Sequence, residues 1–536
     1  MPRPATPAAP TGTSSPWQPL RSRLFLALWL ASIASNIGTW MHEVGAGWLM
    51  TSLSASPLAV AAVQVAGALP IFLLALPAGA LADIVDKRRS LLIVQCWMAA
   101  VAMTLALLTA ADRMSVELLL GLTFAMGIGT ALMMPAWSAM LPEVVGRAEL
   151  PAAVALSSLG VNVARAIGPA LAGILVSLSG PWLTFALNAA SFLAVIIALA
   201  SWKRTPSQSV LPAERLFGAL RVGLRYTRSS RSLQAVLVRT AAFFIGASAG
   251  MSLLPVLVRR EIGGSALDYG ILLGCVGIGA VFGATLLPRL RTRYGNDPLL
   301  AGASLVYALV LAGLAMLRSM PALVPVMLLS GMAWIAALSS LQLSAQTAVP
   351  AWVRARALSL YILAFFGCSA AGGLAWGALA SGISLSAAFT GSAALLVFGL
   401  LAGWRFPLPV SEADDLAPSL HWPAPILDDA LDRERGPLLV TLDYRIAAAD
   451  SDAFRAAMQD VRHMRRRNGA FSWGLVQDAE DPSRWQEFFF DESWLEHLRH
   501  HDRVTRAEQR IEARARRYQM PDEPIRIRHL LAAPRH

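Results

Sequence analysis

The sequence predicts an all-α polytopic membrane protein, with twelve transmembrane helices in two six-helix halves, followed by a small C-terminal α+β domain of ferredoxin-like type. Three observations carry this expectation. Of 536 residues, 56% are hydrophobic and only 15% charged, far from the balance of a soluble protein. The apolar residues gather into runs of roughly 18–25, long enough to cross a hydrocarbon core of about 30 Å. After Phe406 the composition turns abruptly polar and charged.

Residues 1–20 are rich in Pro, Ala, Thr and Ser and are expected to form a disordered tail. No small-residue cleavage site follows a short apolar core, so the first apolar run is expected to be retained as a helix. The twelve runs fall at about 24–50, 57–82, 90–111, 116–141, 152–178, 182–202, 235–258, 267–288, 298–317, 321–347, 357–381 and 385–404. Loop charge tests the count, because Lys and Arg accumulate on cytoplasmic loops. One alternate set holds Lys87, Arg88 and Arg89; Arg147; Lys203, Arg204, Arg215, Arg221, Arg225, Arg228 and Arg231; Arg289, Arg291 and Arg293; and Arg354 with Arg356. The opposite set holds only Arg113, Arg259, Arg260 and Arg318. This asymmetry predicts that both termini lie in the cytoplasm.

The expected organisation is a six-helix half at 21–202, a cytoplasmic linker at 203–234, a second half at 235–405, a linker at 406–436 and a cytoplasmic domain at 437–536. In the central linker, Leu216, Phe217, Leu220 and Leu224 with arginines between them fit an amphipathic helix at the membrane surface. Gly79-Ala returns as Gly283-Ala, and Ala155-Leu-Ser as Ala357-Leu-Ser, at nearly equal offsets. Such repeats point to a duplicated half, as in secondary transporters.

The net charge of +11 suggests nucleic acid, but the arginines sit in short loops where membrane orientation explains them, so no nucleic-acid partner is expected. Cys96, Cys275 and Cys368 lie inside predicted spans without ligand spacing, which argues against a disulfide framework or a zinc site. No metal or cofactor is expected. A Gly-x-x-x-x-Gly-Lys-Ser/Thr phosphate loop does not occur, which disfavours an ATP-driven pump.

The stretch Gly79-Ala-Leu-Ala-Asp83-Ile-Val-Asp86-Lys87-Arg88-Arg89 packs charge between two spans. Asp83 at a helix C-terminus opposes the macrodipole, as do Arg88 and Arg89 at the start of the next helix, so partners on other helices are expected. Together with two six-helix halves and a long central loop, this motif resembles the major facilitator superfamily over about residues 20–405. Within it, Trp40-Met-x-x-x-x-x-x-Trp48-Leu-Met-Thr, Asn162-Val-Ala-Arg165-Ala-Ile-Gly168-Pro169-Ala-Leu-Ala-Gly173 and Val353-Arg-Ala-Arg356-Ala-Leu-Ser look like the efflux branch of enterobactin-type siderophore exporters and macrolide efflux proteins.

The resemblance implies a cytoplasmic latch: Gly79 lets helix 2 approach a neighbour closely, Asp83 meets the positive end of a helix in the other half, and the basic cluster completes it. Leu287 stands at the Asp83 position of the second half, so the latch is lopsided, with Arg354 or Arg356 supplying partner charge. The alternative is that these charges only anchor topology. The implied activity is secondary active transport, namely proton-coupled export of a siderophore, drug or similar amphipathic small molecule by alternating access. An uptake permease, or a bifunctional protein whose tail modifies or senses the cargo, are the rivals. Expected partners are a small-molecule substrate, protons and the lipid bilayer, and the location that goes with the resemblance is a bacterial-type cytoplasmic (inner) membrane.

Ionisable residues at membrane depth are functional candidates by default. Helix 1 carries Asn36, His42 and Glu43, helix 5 carries Asn162 and Arg165, and Gln64, Gln95, Asn188, Gln342 and Gln346 complete the polar set. Glu43 is the first choice for a proton-coupling carboxylate, because burial favours the neutral form of an acid. His42 points about 100° away on the helix, so at most one of the two is expected to face a central cavity. The rival reading has helix 1 leaving the bilayer near His42. Arg165 precedes Gly168, Pro169 and Gly173, which resemble the bend motif of antiporters in this superfamily; it is a candidate for holding an anionic substrate or for a structural ion pair with an acid.

In the tail, strands are expected at 438–446, 470–476, 485–490 and 525–531, and helices at 451–467 and 494–516. This βαββαβ order is ferredoxin-like. The segment 492–501 resembles the dimeric α/β-barrel domains related to antibiotic-biosynthesis monooxygenases, which implies homodimerisation, ligand sensing or cofactor-free oxygenase chemistry. His497, His500 and His501 mark a candidate pocket, with His497 and His501 on one face at i, i+4. No carboxylate in a metal-binding pattern accompanies them, so a solvated helix face is the preferred reading and no catalytic residue is assigned.

Overall fold

The structure, a computed structural model, describes residues 15–146, 149–202, 227, 230–408, 419, 435–521 and 523–532. The amphipathic helix expected at 216–224 and most of the 406–436 linker lie outside them. Two compact units are present, one from the described residues of 1–213, 240–340 and 362–404, the other from those of 214–239, 341–361 and 405–536.

Among the described residues, twelve helices are long and apolar enough to cross a membrane. They are α1 (Arg23–Leu53), α2 (Pro57–Ile84), α3 (Lys87–Ala110), α4 (Val116–Val144), α5 (Leu150–Ser179), α6 (Pro181–Ser201), α7 (Arg231–Ser252), α8 (Ala266–Tyr294), α9 (Asn296–Met316), α10 (Met320–Thr347), α11 (Arg354–Gly382) and α12 (Leu385–Gly399), the last reaching spanning length with the helical turn Leu401–Arg405 that follows it. After Ser252, α7 continues through Leu254–Val256 into a π-helical turn at Leu257–Glu261. Side-chain caps mark several starts: Ser22, Asp86, Ser115, Ser265 and Ser384 each accept a hydrogen bond from a backbone N–H in the first turn of the helix that follows.

Small residues set the helix contacts in the first unit, as expected where no hydrophobic force drives apolar helices together in lipid. Gly38 and Gly45, seven residues apart and so on one face of α1, lie against Ser191 and Thr184 of α6. Gly127 of α4 lies against the Gly67 carbonyl and Pro70 of α2. The second half adds an aromatic cluster: Phe244 meets Phe365 edge-on at 4.5 Å and Trp334 at 5.3 Å, while Tyr307 donates to the Ala247 carbonyl at 3.2 Å.

The tail, in the other unit, is a four-stranded antiparallel sheet of order β2-β3-β1-β4, with β1 Leu438–Arg445, β2 Ser472–Gln477, β3 Arg484–Asp491 and β4 Arg526–Leu531. With helices α13 (Ser451–Asn468), α14 (Trp494–Arg503) and α15 (Arg506–Arg516) between the strands, this is the ferredoxin-like arrangement. The single helix expected at 494–516 is two, because Thr505 opens α15 with a capping box to Glu508. Period-two alternation turns Trp485, Glu487, Phe489 and Asp491 of β3 inward. There they meet Leu438, Val440, Leu442, Phe454, Met458 and Val461 in one core.

Candidate functional site

One stripe of α1 organises the centre of the first unit. Trp40, Glu43 and Gly47 recur at helical spacing on it. Trp40 lies under the Arg165 guanidinium of α5, 5.7 Å from the ring centre, and Gly168 of α5 lies against Trp40 Cβ. Glu43 is exposed although protein surrounds it densely, so its carboxylate lines an internal space. It interacts electrostatically with Arg165 and with Tyr269 of α8, without a direct hydrogen bond to either among the described residues. The Arg165 Nε is buried with no hydrogen-bond partner among the described residues.

His42 turns the other way. It is buried, packs edge-on against Phe185 of α6 at 5.1 Å, and neither ring nitrogen has a hydrogen-bond partner among the described residues. Asn36 and Asn162 donate within their own helices, to the carbonyls of Ser32 at 2.7 Å and Ser158 at 2.9 Å. Gln342, exposed, and Gln346, half-buried, lie near the end of α10 in the other unit.

The helix-bend residues form a crossing. α5 runs unbroken through Pro169, and Gly173 meets Gly270 and Leu267 of α8. Pro169 presents its carbonyl to Gly270, while Gly277 lies against the Arg165 carbonyl. Three glycines of α8, at 270, 274 and 277, thus bring its backbone onto that of α5.

Hydrogen bonds between the halves lie at the end carrying residues 54–58 and 259–262. Arg259 donates to Ser52 Oγ at 2.7 Å and Thr51 Oγ1 at 3.0 Å, and Arg260 donates to the carbonyls of Ser54, at 2.9 Å, and Ala55. These cations sit at the C-terminus of α1, the end of a helix that favours positive charge. Ser381 of α11 accepts from Leu58 N at 3.0 Å, Trp48 stacks on Tyr269 at 6.1 Å, and a pocket of about 540 Å³ opens beside Trp48, Asp112, Trp182 and Arg259. Sequence reading passed over Arg259, Arg260 and Tyr269; the available signal was an adjacent arginine pair on the otherwise charge-poor set of loops.

The charged hairpin ties its own half together. Asp86 caps α3, accepting from Arg89 N at 2.9 Å; Lys87 pairs with Glu143 of α4 at 2.7 Å; Arg88 donates to the Leu199 and Ala200 carbonyls of α6 at 3.1 and 2.7 Å. Arg88 is thus unfavourable at the start of its own helix and favourable at the end of another. The expected close approach at Gly79 is not seen: among the described residues a Cβ there meets nothing within 4 Å, and the tight contact of α2 is made by Gly67 and Pro70 instead. Its echo Gly283 is the close one: a Cβ there would fall 3.0 Å from Met332 Cα of α10. Arg291 donates to Ser339 at 2.8 Å, Arg354 is exposed and Arg356 half-buried, and the Asp83 side chain lies outside the described residues.

The tail corrects the reading of its histidines as a solvated face. His497 and His500 are 1% and 0% exposed, because α14 turns them onto the inward face of β3. A carboxylate does accompany them: Asp491 Oδ2 lies 2.8 Å from His497 Nδ1 and 3.5 Å from His500 Nδ1. His529 joins from β4, where its register opposite Val440 places it on the same face. Burial opposes the charge on Asp491, but His500 and His497 outweigh it and hold the carboxyl below its ordinary range. Burial, with the neighbouring histidines, pushes His501 down to about 3 and His529 to about 4. Deeper in the core, Arg465 pairs with Glu487 at 3.0 Å and Glu512 at 2.7 Å.

Comparison with known proteins agrees with this architecture. The family model described as transmembrane secretion effector matches residues 14–536. The Staphyloferrin A transporter of Staphylococcus aureus (strain NCTC 8325 / PS 47) is 24% identical over 280 residues, 52% of this chain and 70% of that protein. The multidrug efflux pump Tap of Mycolicibacterium fortuitum is 27% identical over 398 residues, 71% of this chain and 95% of that protein. Among solved structures, the nucleoside transporter NupG aligns with a TM-score of 0.57 at 15% identity, over 72% of this chain and 100% of NupG. A bacterial homolog of the lysosomal transporter Spinster, inward-facing and unoccupied, aligns at 0.56 and 16% identity, over 73% of this chain and 96% of that one. At such identities these structures establish a shared fold.

Proposed function

The chain belongs to the transmembrane secretion effector family of major facilitator transporters, and from that premise we propose that it is a proton-coupled exporter of an amphipathic small molecule, of siderophore or drug type. The observation that carries the reading is the Glu43 carboxylate, which lines an internal space between the halves within electrostatic reach of Arg165. Loading a proton on Glu43 removes its attraction for Arg165. Arg165 sits on the α5 segment that crosses α8 backbone to backbone, so a change of charge there bears on the contact the halves must break to alternate. Arg165, relieved of Glu43, becomes available to an anionic group of the cargo. The name of the Tap relative, a multidrug efflux pump, supports export, and the two names together support this substrate class.

In this reading the protein sits in a bacterial-type inner membrane with both termini in the cytoplasm, an orientation that the excess of Lys and Arg on alternate loops supports. The end sealed by Arg259 and Arg260 is then the outer end. The ferredoxin-like tail, in its likeness to dimeric α/β-barrel domains, serves as a dimerising or ligand-sensing appendage. The test is Glu43→Gln in cells lacking the native protein, following accumulation of a fluorescent amphipathic dye with and without a protonophore. The expected result is loss of protonophore-sensitive efflux at unchanged membrane abundance. Undiminished efflux by this variant refutes proton coupling through Glu43.

A further inference from the structure

We propose that His497, His501 and His529 bind a divalent transition-metal ion, with Asp491 fixing the orientation of His497. The two rings on α14 bring His497 Nε2 and His501 Nε2 to 3.1 Å. One ligand nitrogen from each of the three histidines lies within 4.8 Å of the others, and the His497 and His529 ring centres are 4.8 Å apart. Three imidazoles around a tetrahedral ion, at metal–nitrogen distances of about 2.0–2.1 Å, place their nitrogens roughly 3.3–3.4 Å from each other. The His497 and His501 pair is already near that separation, and His529 reaches it by a small side-chain movement.

The tautomer follows from the neighbour. An ionised carboxylate only accepts, so Asp491 Oδ2, 2.8 Å from His497 Nδ1, places the ring proton on Nδ1 and the lone pair on Nε2, facing His501. A carboxylate, a histidine and then the metal is the usual second-shell arrangement around ligating imidazoles. Burial favours the group Asp491, His497 and His500 less, because all three are buried and Asp491 Oδ2 is engaged by His497. His501 and His529 are half-buried and give an ion a route from solvent. Three nitrogen ligands leave a fourth position open to water or to a ligand atom of a small molecule, and an all-imidazole set suits Zn²⁺, Cu²⁺, Ni²⁺ or Fe²⁺ over Mg²⁺ or Ca²⁺. This site stands apart from the transport reading and does not depend on it.

The probe is the metal alone. Full-length protein, purified in detergent with an affinity tag that contains no histidine and stripped with chelator, is dialysed against Zn²⁺, and in parallel titrated with Co²⁺ to follow its visible absorption. The expected result is one more Zn²⁺ per chain than the His501→Ala/His529→Ala double variant retains, and a tetrahedral Co²⁺ spectrum that the double variant lacks. Asp491→Asn should weaken binding about 10–100-fold. The single variants His501→Gln and His529→Gln, at half-buried positions, keep the test valid should the double variant unfold; each should lose the Co²⁺ spectrum at an unchanged melting temperature. Equal Zn²⁺ and Co²⁺ binding by wild type and these variants, or none by wild type, overturns the proposal and leaves an ordinary hydrogen-bonded histidine pair.

Discussion

Replacing Gly277 with alanine should part α5 from α8. A Cβ at this position falls 2.5 Å from the Arg165 carbonyl oxygen and 2.6 Å from Ala166 Cα. Both are backbone atoms, so no rotamer relieves the clash, and ordinary contact distances require the helices to separate by roughly 1 Å. Overpacking of this kind costs about 1–3 kcal/mol. When the strain is relieved in the state where the halves part at this crossing, the conformational equilibrium moves by about 5–150-fold. Cys275, buried on the same helix, is a built-in reporter. With Cys96 and Cys368 replaced by serine, a water-soluble maleimide should alkylate Cys275 faster in Gly277→Ala than in the parent, toward the upper part of that range. Gly302→Ala is the control, since a Cβ there meets nothing within 4 Å among the described residues. A parental alkylation rate in folded Gly277→Ala would refute the view that this crossing holds the halves together.

Two predictions concern the tail. Arg465→Met leaves Glu487 buried without its cation and Glu512 with only the more exposed Arg516, which should destabilise the domain by about 3–5 kcal/mol and open it to limited proteolysis within the full-length chain; unchanged protease resistance would contradict this. Asp481 is held down to about 2 by the Ser483 hydroxyl and by Arg445, below its ordinary 3.8, so its contribution to stability is full above about pH 4 and lost as pH falls toward 2. Asp481→Asn should therefore flatten the melting temperature of the tail across that window while lowering it at neutral pH, as read by near-ultraviolet circular dichroism.

How far the sequence carries depends on which interactions are local. The span count rests on run length and loop charge, both one-dimensional, and every run has its helix. The βαββαβ order was legible for the same reason, because strand and helix periods differ. The break at Thr505 was legible too, through Thr505-x-x-Glu508, but the helical pattern on both sides obscured it. At the charged hairpin, the sequence located the cations and misjudged the glycine: whether a glycine is crowded depends on the neighbouring helix, and at Gly79 no described residue is near.

The same division runs through the candidate sites. Glu43, Arg165, Gly173 and the α14 histidines were visible as residue types in unusual places, a polar group in an apolar run or an imidazole pair at i, i+4. Their partners were not. Tyr269 is separated from Glu43 by more than two hundred positions, and His529 comes to His497 only because β4 pairs with β1 in a register that puts it opposite Val440. Hydrophobic run length and local period thus determined the number of spans and the order of elements from the chain alone. Tertiary packing decided which polar groups share a space, because burial and a few ångströms between distant residues set their chemistry, and neither is written in local sequence.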